Sequence, residues 1–144
     1  MEARLYFADV RWAAVRLKEV EALIENDGED WKRSKGTAAQ LVNDPTGSAA
    51  MRHLSAVESL LVERESLLQQ IAEARGVVIG IGKGLGADHM IVMGCYYLDC
   101  MKWDEVSECM GITKRQCLRL RDTSLDWVDS VGYAHAKEGR GIAE

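Results

Sequence analysis

Proline and phenylalanine are almost missing from this chain, with one of each in 144 residues. Alanine, leucine, glutamate and arginine are plentiful instead, a mix that favours helix and argues against a turn-rich β-sandwich. Long apolar runs are missing too. The longest apolar stretch, residues 77–98, is broken by Lys83, Asp88 and His89, so no membrane span is expected. The opening residues, MEARLYFADVRW, carry charges where a secretory signal needs an apolar core. Cys95, Cys100, Cys109 and Cys117 are separated by four, eight and seven residues, and none forms a Cys-x-x-Cys zinc knuckle. Reduced thiols in a cytoplasmic protein without metal or cofactor are the expectation. Nor is there an excess of positive charge. Eighteen Lys and Arg against 23 Asp and Glu leave a net charge of −5, which excludes a generic polyanion binder. Residues 114–121, however, hold four basic side chains and no acidic one, so any nucleic-acid contact must be local.

The composition is otherwise globular, 47% hydrophobic and 28% charged, in a chain long enough to bury its own core. Apolar residues at Leu5, Ala8, Trp12, Val15 and Ala22 step alternately by three and four, with Glu19 filling one seat, which predicts a first helix with this stripe inward. Asn26-Asp27-Gly28 weakens or ends that pattern, and Asn43-Asp44-Pro45-Thr46-Gly47 is a stronger stop. A second pattern runs through Ala50, Leu54, Val57, Leu61, Arg64, Leu68, Ile71, Arg75 and Val78, with seven of nine seats apolar. Two long amphipathic helices joined by a turn are expected to fold back as an antiparallel hairpin over residues 1–81, burying Leu54, Leu61 and Leu68.

Residues 80–86 alternate glycine with other residues and invite a phosphate-loop reading. They lack the Gly-x-x-x-x-Gly-Lys-Ser/Thr pattern, and Gly82-x-Gly84-x-x-Ala87 has no βαβ context, so a hinge is expected. A nucleotide-binding enzyme at this segment is the most distant alternative. Trp103 to Met110 then reads as a two-turn helix with acids in its first turn. Gly111-Ile112-Thr113 forms a turn, and Thr113-x-x-Gln116 is a capping-box pattern that starts another helix at Lys114 and carries it to about Val131. Cys117, Leu120, Ser124, Val128 and Val131 share its inward face, Arg115 and Arg119 lie opposite, and Lys114 and Arg121 flank them. A short helix, a glycine-containing turn and a capped helix with a basic start are the grammar of a helix-turn-helix over residues 82–131. Residues 132–144 show no stripe and are expected to be a frayed tail.

Residues 96–117, YYLDCMKWDEVSECMGITKRQC, resemble region 4 of bacterial sigma factors, and more narrowly the small phage and prophage regulators of the ArpU/RinA type. The resemblance is specific over about residues 90–128 and architectural elsewhere. It implies an all-α protein whose helical segment precedes a sigma-like helix-turn-helix. It also implies that Val106, Met110, Ile112, Cys117, Leu120 and Leu125 are core seats and that Lys114, Arg115 and Arg119 face DNA. Tyr96 stands where the family usually carries arginine. Cys100 stands where glycine is usual, so the turn before Trp103 is expected to be built differently.

Other sites are weaker. His53, His89 and His135 are far apart in sequence and read as surface or partly packed imidazoles. No motif supplies a base or oxyanion site for a cysteine nucleophile, Trp103 reads as a packing anchor, and no catalytic set emerges. The sequence therefore points to a DNA-binding transcription regulator of phage type that contacts double-stranded DNA through Lys114, Arg115, Arg119 and Arg121. Homodimerisation through the hairpin and contact with RNA polymerase are partner readings that go with it. The rival is a non-catalytic interaction scaffold, RNA-polymerase-associated or otherwise, that does not read DNA.

Overall fold

A computed structural model of the chain describes the backbone of residues 2–34 and 47–139, with side chains at 2–26, 52 and 54–139. The described residues are helical without a strand: α1 Glu2–Ser34, α2 Gly47–Gly84, α3 Ala87–Met93, α4 Trp103–Met110, α5 Lys114–Val131 and α6 Tyr133–Glu138, with a π-helical turn over Gly94–Leu98 following α3. None of these helices is long and apolar enough to cross a membrane. α1 stays helical through Asn26-Asp27-Gly28, where the sequence predicted weakness. The stronger stop falls mostly at 43–46, outside the described residues.

Two compact units result, Met1–Val15 with Gln69–Glu144, and Arg16–Leu68. The boundary expected after residue 81 falls inside the first unit, because the end of α2 belongs to its core. There Ala3 and Phe7 of α1 meet Val77, Val78 and Ile81 of α2, Met93 and Tyr97, and Leu125, Val128 and Val131 of α5, with Ala136 of α6. Phe7, the single phenylalanine, is fully buried and lies 5.2 Å from the Tyr97 ring. The second unit carries an Arg16–Glu63 ion pair at 2.6 Å.

The predicted stripe of α1 is corrected by this packing, and that of α2 holds at Ile71 and Val78 but not at Leu54 and Leu61. On α1 the buried residues among those described are Ala3, Phe7, Val10, Ala13, Ala14 and Val20, whereas Leu5 and Trp12 remain 70% and 65% exposed. α1 is apolar on two opposite sides, and three-four spacing describes both equally well. On α2 the buried row is Leu67, Ile71, Ala74, Val78 and Ile81, and Leu54 and Leu61 stay 53% and 44% exposed. The predicted row coincides with the buried one at Ile71 and Val78, and Leu67, Ala74 and Ile81 take the seats beside it.

The glycine segment is not a hinge. α2 continues through Gly80, Gly82 and Gly84, and three different elements pack against these positions. A Cβ on Gly80 would stand 1.5 Å from the Ala136 carbonyl oxygen, one on Gly82 2.7 Å from Met90 Sδ, and one on Gly84 2.3 Å from the Trp127 ring. The glycines let α6, α3 and α5 approach the α2 backbone more closely than any side chain permits. The expected tail over 132–144 is corrected where it is described, residues 140–144 lying outside the described residues. Residues 133–138 form α6, and its Ala136 is fully buried.

Candidate nucleic-acid interface

α4 and α5 begin and end where local chemistry dictates. The Glu105 side chain accepts the Lys102 N–H at 3.5 Å ahead of α4, and Asp104 and Glu105 occupy its first turn. Gly111 then adopts φ 69°, the left-handed conformation that ends helices, and its N–H and that of Ile112 both donate to the Ser107 carbonyl. Thr113 caps α5 reciprocally. Its Oγ1 accepts the Gln116 N–H at 3.1 Å while Gln116 Oε1 accepts the Thr113 N–H at 3.0 Å.

A small core holds these helices against α3. Val92, Val106 and Cys117 are fully buried, with Tyr96, Met101, Trp103, Met110, Ile112 and Leu120 around them. On α5 the inward face is Cys117, Ser124, Leu125, Val128 and Val131. Ser124 is the one buried polar residue among those described, and its Oγ–H donates to the Leu120 carbonyl at 2.7 Å, which satisfies it within the helix. Burial pushes the Cys117 thiol up, and likewise that of half-buried Cys95. Both therefore stay protonated and unreactive at neutral pH.

The four sequence-predicted contacts divide. Arg115 and Arg119 are exposed on the outward face of α5 and have no ion-pair partner among the described residues. Arg119 borders a shallow depression of about 280 Å³ with Asp88, Ile112, Gln116 and Leu120. Lys114 is exposed and only 3.8 Å from the exposed Asp104 carboxylate, an ion pair too solvated to hold it. Arg121 is placed differently, with its side chain 22% exposed. It pairs with Asp122 at 2.8 Å, and its guanidinium lies 5.4 Å from the centre of the Trp103 ring. Burial pushes the Asp122 carboxyl up, but hydrogen bonds from Arg121 and Arg4 outweigh it and hold it below the usual carboxylate range. Arg121 is thus a bracing residue on the inner flank.

The approach to α4 contains what sequence spacing missed. Arg11, 85 residues before Tyr96, donates from Nη1 to the Tyr96 carbonyl and, at 3.0 Å, to the Met101 carbonyl. Its guanidinium lies 3.9 Å from the centre of the Tyr96 ring, which stacks on Trp103 at 3.9 Å and 16°. Trp103 is the packing anchor its sequence context indicated. No periodic signal marks Arg11, since it sits among the charges flanking the apolar residues of α1.

Between these contacts Cys100 adopts φ 61°, the left-handed backbone in which glycine is at ease. The turn is therefore built as glycine would build it, contrary to the expectation, and the cysteine bears the strain. Cys100→Gly should raise stability by about 1 kcal/mol, from relieved strain less the added freedom of the unfolded chain. Denaturant unfolding of the two proteins decides it; a destabilised glycine variant would mean that Cys100 packing outweighs the backbone strain.

Among the described residues there is no cluster of three or more His, Cys, Asp or Glu able to hold a metal ion. Comparison with protein-family models, curated proteins and solved structures gives no match for this chain. The functional reading therefore rests on the residues themselves.

Proposed function

We propose that this protein is a sequence-specific DNA-binding transcription regulator of phage or prophage type. In this reading α4, the Gly111 turn and α5 form a sigma-region-4-like helix-turn-helix, and α1 with α2 forms an antiparallel helical hairpin. One observation carries it: the first two turns of α5 present Arg115 and Arg119 outward and without an ion-pair partner among the described residues, with Lys114 beside them, while the opposite face is locked in a core. A helix that enters the major groove needs this division, because one side must be held while the other reaches base edges and phosphates. Net acidity is compatible with it, since the basic residues are concentrated where contact is made. Asp126 lies farther along the outward side and would be repelled by phosphate, so contact is confined to the start of α5.

The test is a titration of Arg115→Ala and Arg119→Ala against an operator obtained by binding-site selection, and against scrambled duplexes, at several salt concentrations. Both substitutions are exposed and should change folding stability by about 0.5 kcal/mol or less. Loss of a base contact should cost about 1–3 kcal/mol of binding and relax the preference at one base pair. Loss of a phosphate contact should weaken all sequences alike and flatten the salt slope by about one unit. If both variants bind as the wild type does, this face does not touch DNA.

A second reading has its own support. The exposed Leu5, Trp12 and Val15 row of α1 leaves an apolar face uncovered, as an interaction scaffold, a homodimer or a polymerase-bound protein would. Running the selection with and without RNA polymerase separates these roles. Enrichment only with polymerase indicates a sigma-like or co-activator role, and no enrichment in either favours the scaffold.

A further inference from the structure

We propose that Arg11 is a positioning residue that holds the α4–α5 pair in the arrangement its basic face requires. This use of Arg11 rests on the DNA reading above for its binding readout, though not for its structural one. The π-helical turn Gly94–Leu98 ends in a loop whose own backbone makes few bonds: the Asp99 N–H donates to Gly94 and the Met101 N–H to Cys95. The carbonyls of Tyr96 and Met101 both accept from one nitrogen of Arg11. A side chain from α1 thus does for this helix end what a C-terminal basic residue does for its own helix. The planar guanidinium then covers Tyr96, Tyr96 stacks on Trp103, and the Arg121 guanidinium of α5 lies 5.4 Å from the centre of the Trp103 ring. Trp103 is the first residue of α4 and Arg121 lies two turns into α5. A single ladder of cation, two rings and cation therefore connects α1, the loop, α4 and α5. Lysine could not replace Arg11, because it lacks the planar face that stacks. Arg4 ties α1 to the same end of α5 through Asp122 at 3.1 Å, next to Arg121.

The consequence is that residues 2–15, remote in sequence from the basic face, set how that face is presented. Loosening the loop lowers the fraction of molecules in the binding-competent arrangement, and apparent affinity falls by that fraction. The full-length wild type, Arg11→Met and Lys18→Met are compared. The lysine substitution removes a charge from α1 without touching the loop. Amide hydrogen exchange reads residues 99–103 and the first turns of α4 and α5, and an operator titration reads binding. Arg11→Met should bring exchange at 99–103 close to that of an unstructured loop and weaken operator binding by about threefold or more, as the competent arrangement becomes the minority, with Lys18→Met changing neither. The melting temperature and circular dichroism check folding. Tyr96→Leu, which keeps the carbonyl but removes the ring, should reproduce the effect if Arg11→Met does not fold. Unchanged exchange at 99–103 in a folded variant overturns the brace. Faster exchange with unchanged affinity overturns the positioning role. Equal weakening by Lys18→Met assigns the loss to charge alone and also overturns it. A wild type that binds no duplex defeats the DNA reading separately, and the exchange comparison still decides whether Arg11 holds the loop.

Discussion

Alanine at Gly80 should cost about 3 kcal/mol or more, a large part of the stability of an ordinary domain, and lower the melting temperature by roughly 10 °C. The added methyl would stand 1.5 Å from the Ala136 carbonyl oxygen and 2.5 Å from its carbon. That neighbour is backbone and cannot swing aside, so α6 must lift from α2 and uncover Ala136. Gly76, one turn earlier on α2, is the internal control. A Cβ there meets nothing closer than Lys137 Cγ at 3.9 Å, so Gly76→Ala should stabilise by about 0.5–1 kcal/mol through helix propensity alone. Thermal and denaturant unfolding followed by circular dichroism compares the pair. Equal small effects at both positions would mean that α6 does not rest on α2, and residues 132–139 would return to the status of a tail.

Phe7→Ala should cost about 3–5 kcal/mol, the loss of a fully buried aromatic ring plus the cavity it leaves. Phe7 fills the space between the end of α2, Tyr97 and α5, and its ring meets both Tyr6 and Tyr97 at 5.2 Å. Trp12 is the larger side chain and belongs to the stripe that spacing alone would have turned inward. Being mostly exposed, Trp12→Ala should change stability by about 0.5 kcal/mol or less. The near-UV dichroism of the first variant should collapse while its helical signal shrinks less. A reversed order of the two costs would mean that α1 meets the core through Leu5, Ala8, Trp12 and Val15.

Much of the candidate site was legible because its signals are local. The capping box Thr113/Gln116, the glycine at 111 and the acids at 104 and 105 act within one turn of where they stand, and they set the limits of α4 and α5. The outward positions of Arg115 and Arg119 follow from helix geometry once those limits are known. Arg121 is only two positions farther and lies at the flank where helix geometry puts it, yet its neighbour Trp103 is brought to it by the fold, so that contact has no signal in the spacing. Composition likewise sufficed for the helical class, since few breakers and many strong helix formers leave little else.

What tertiary structure alone decided is which surfaces meet. α1 carries two apolar stripes of the same period, and the choice between them depends on residues some 70 to 130 positions away. The alternating glycines read as freedom in the sequence, because glycine's conformational range is a local property. In the folded chain the same missing side chains serve close contact with α3, α5 and α6. Arg11 is the extreme case: its acceptors are backbone carbonyls, which every residue has and no sequence pattern marks. Hydrogen bonding within a turn is encoded by neighbours, whereas burial and long-range capping are properties of the pair that meets, and that pair exists only after the chain has folded.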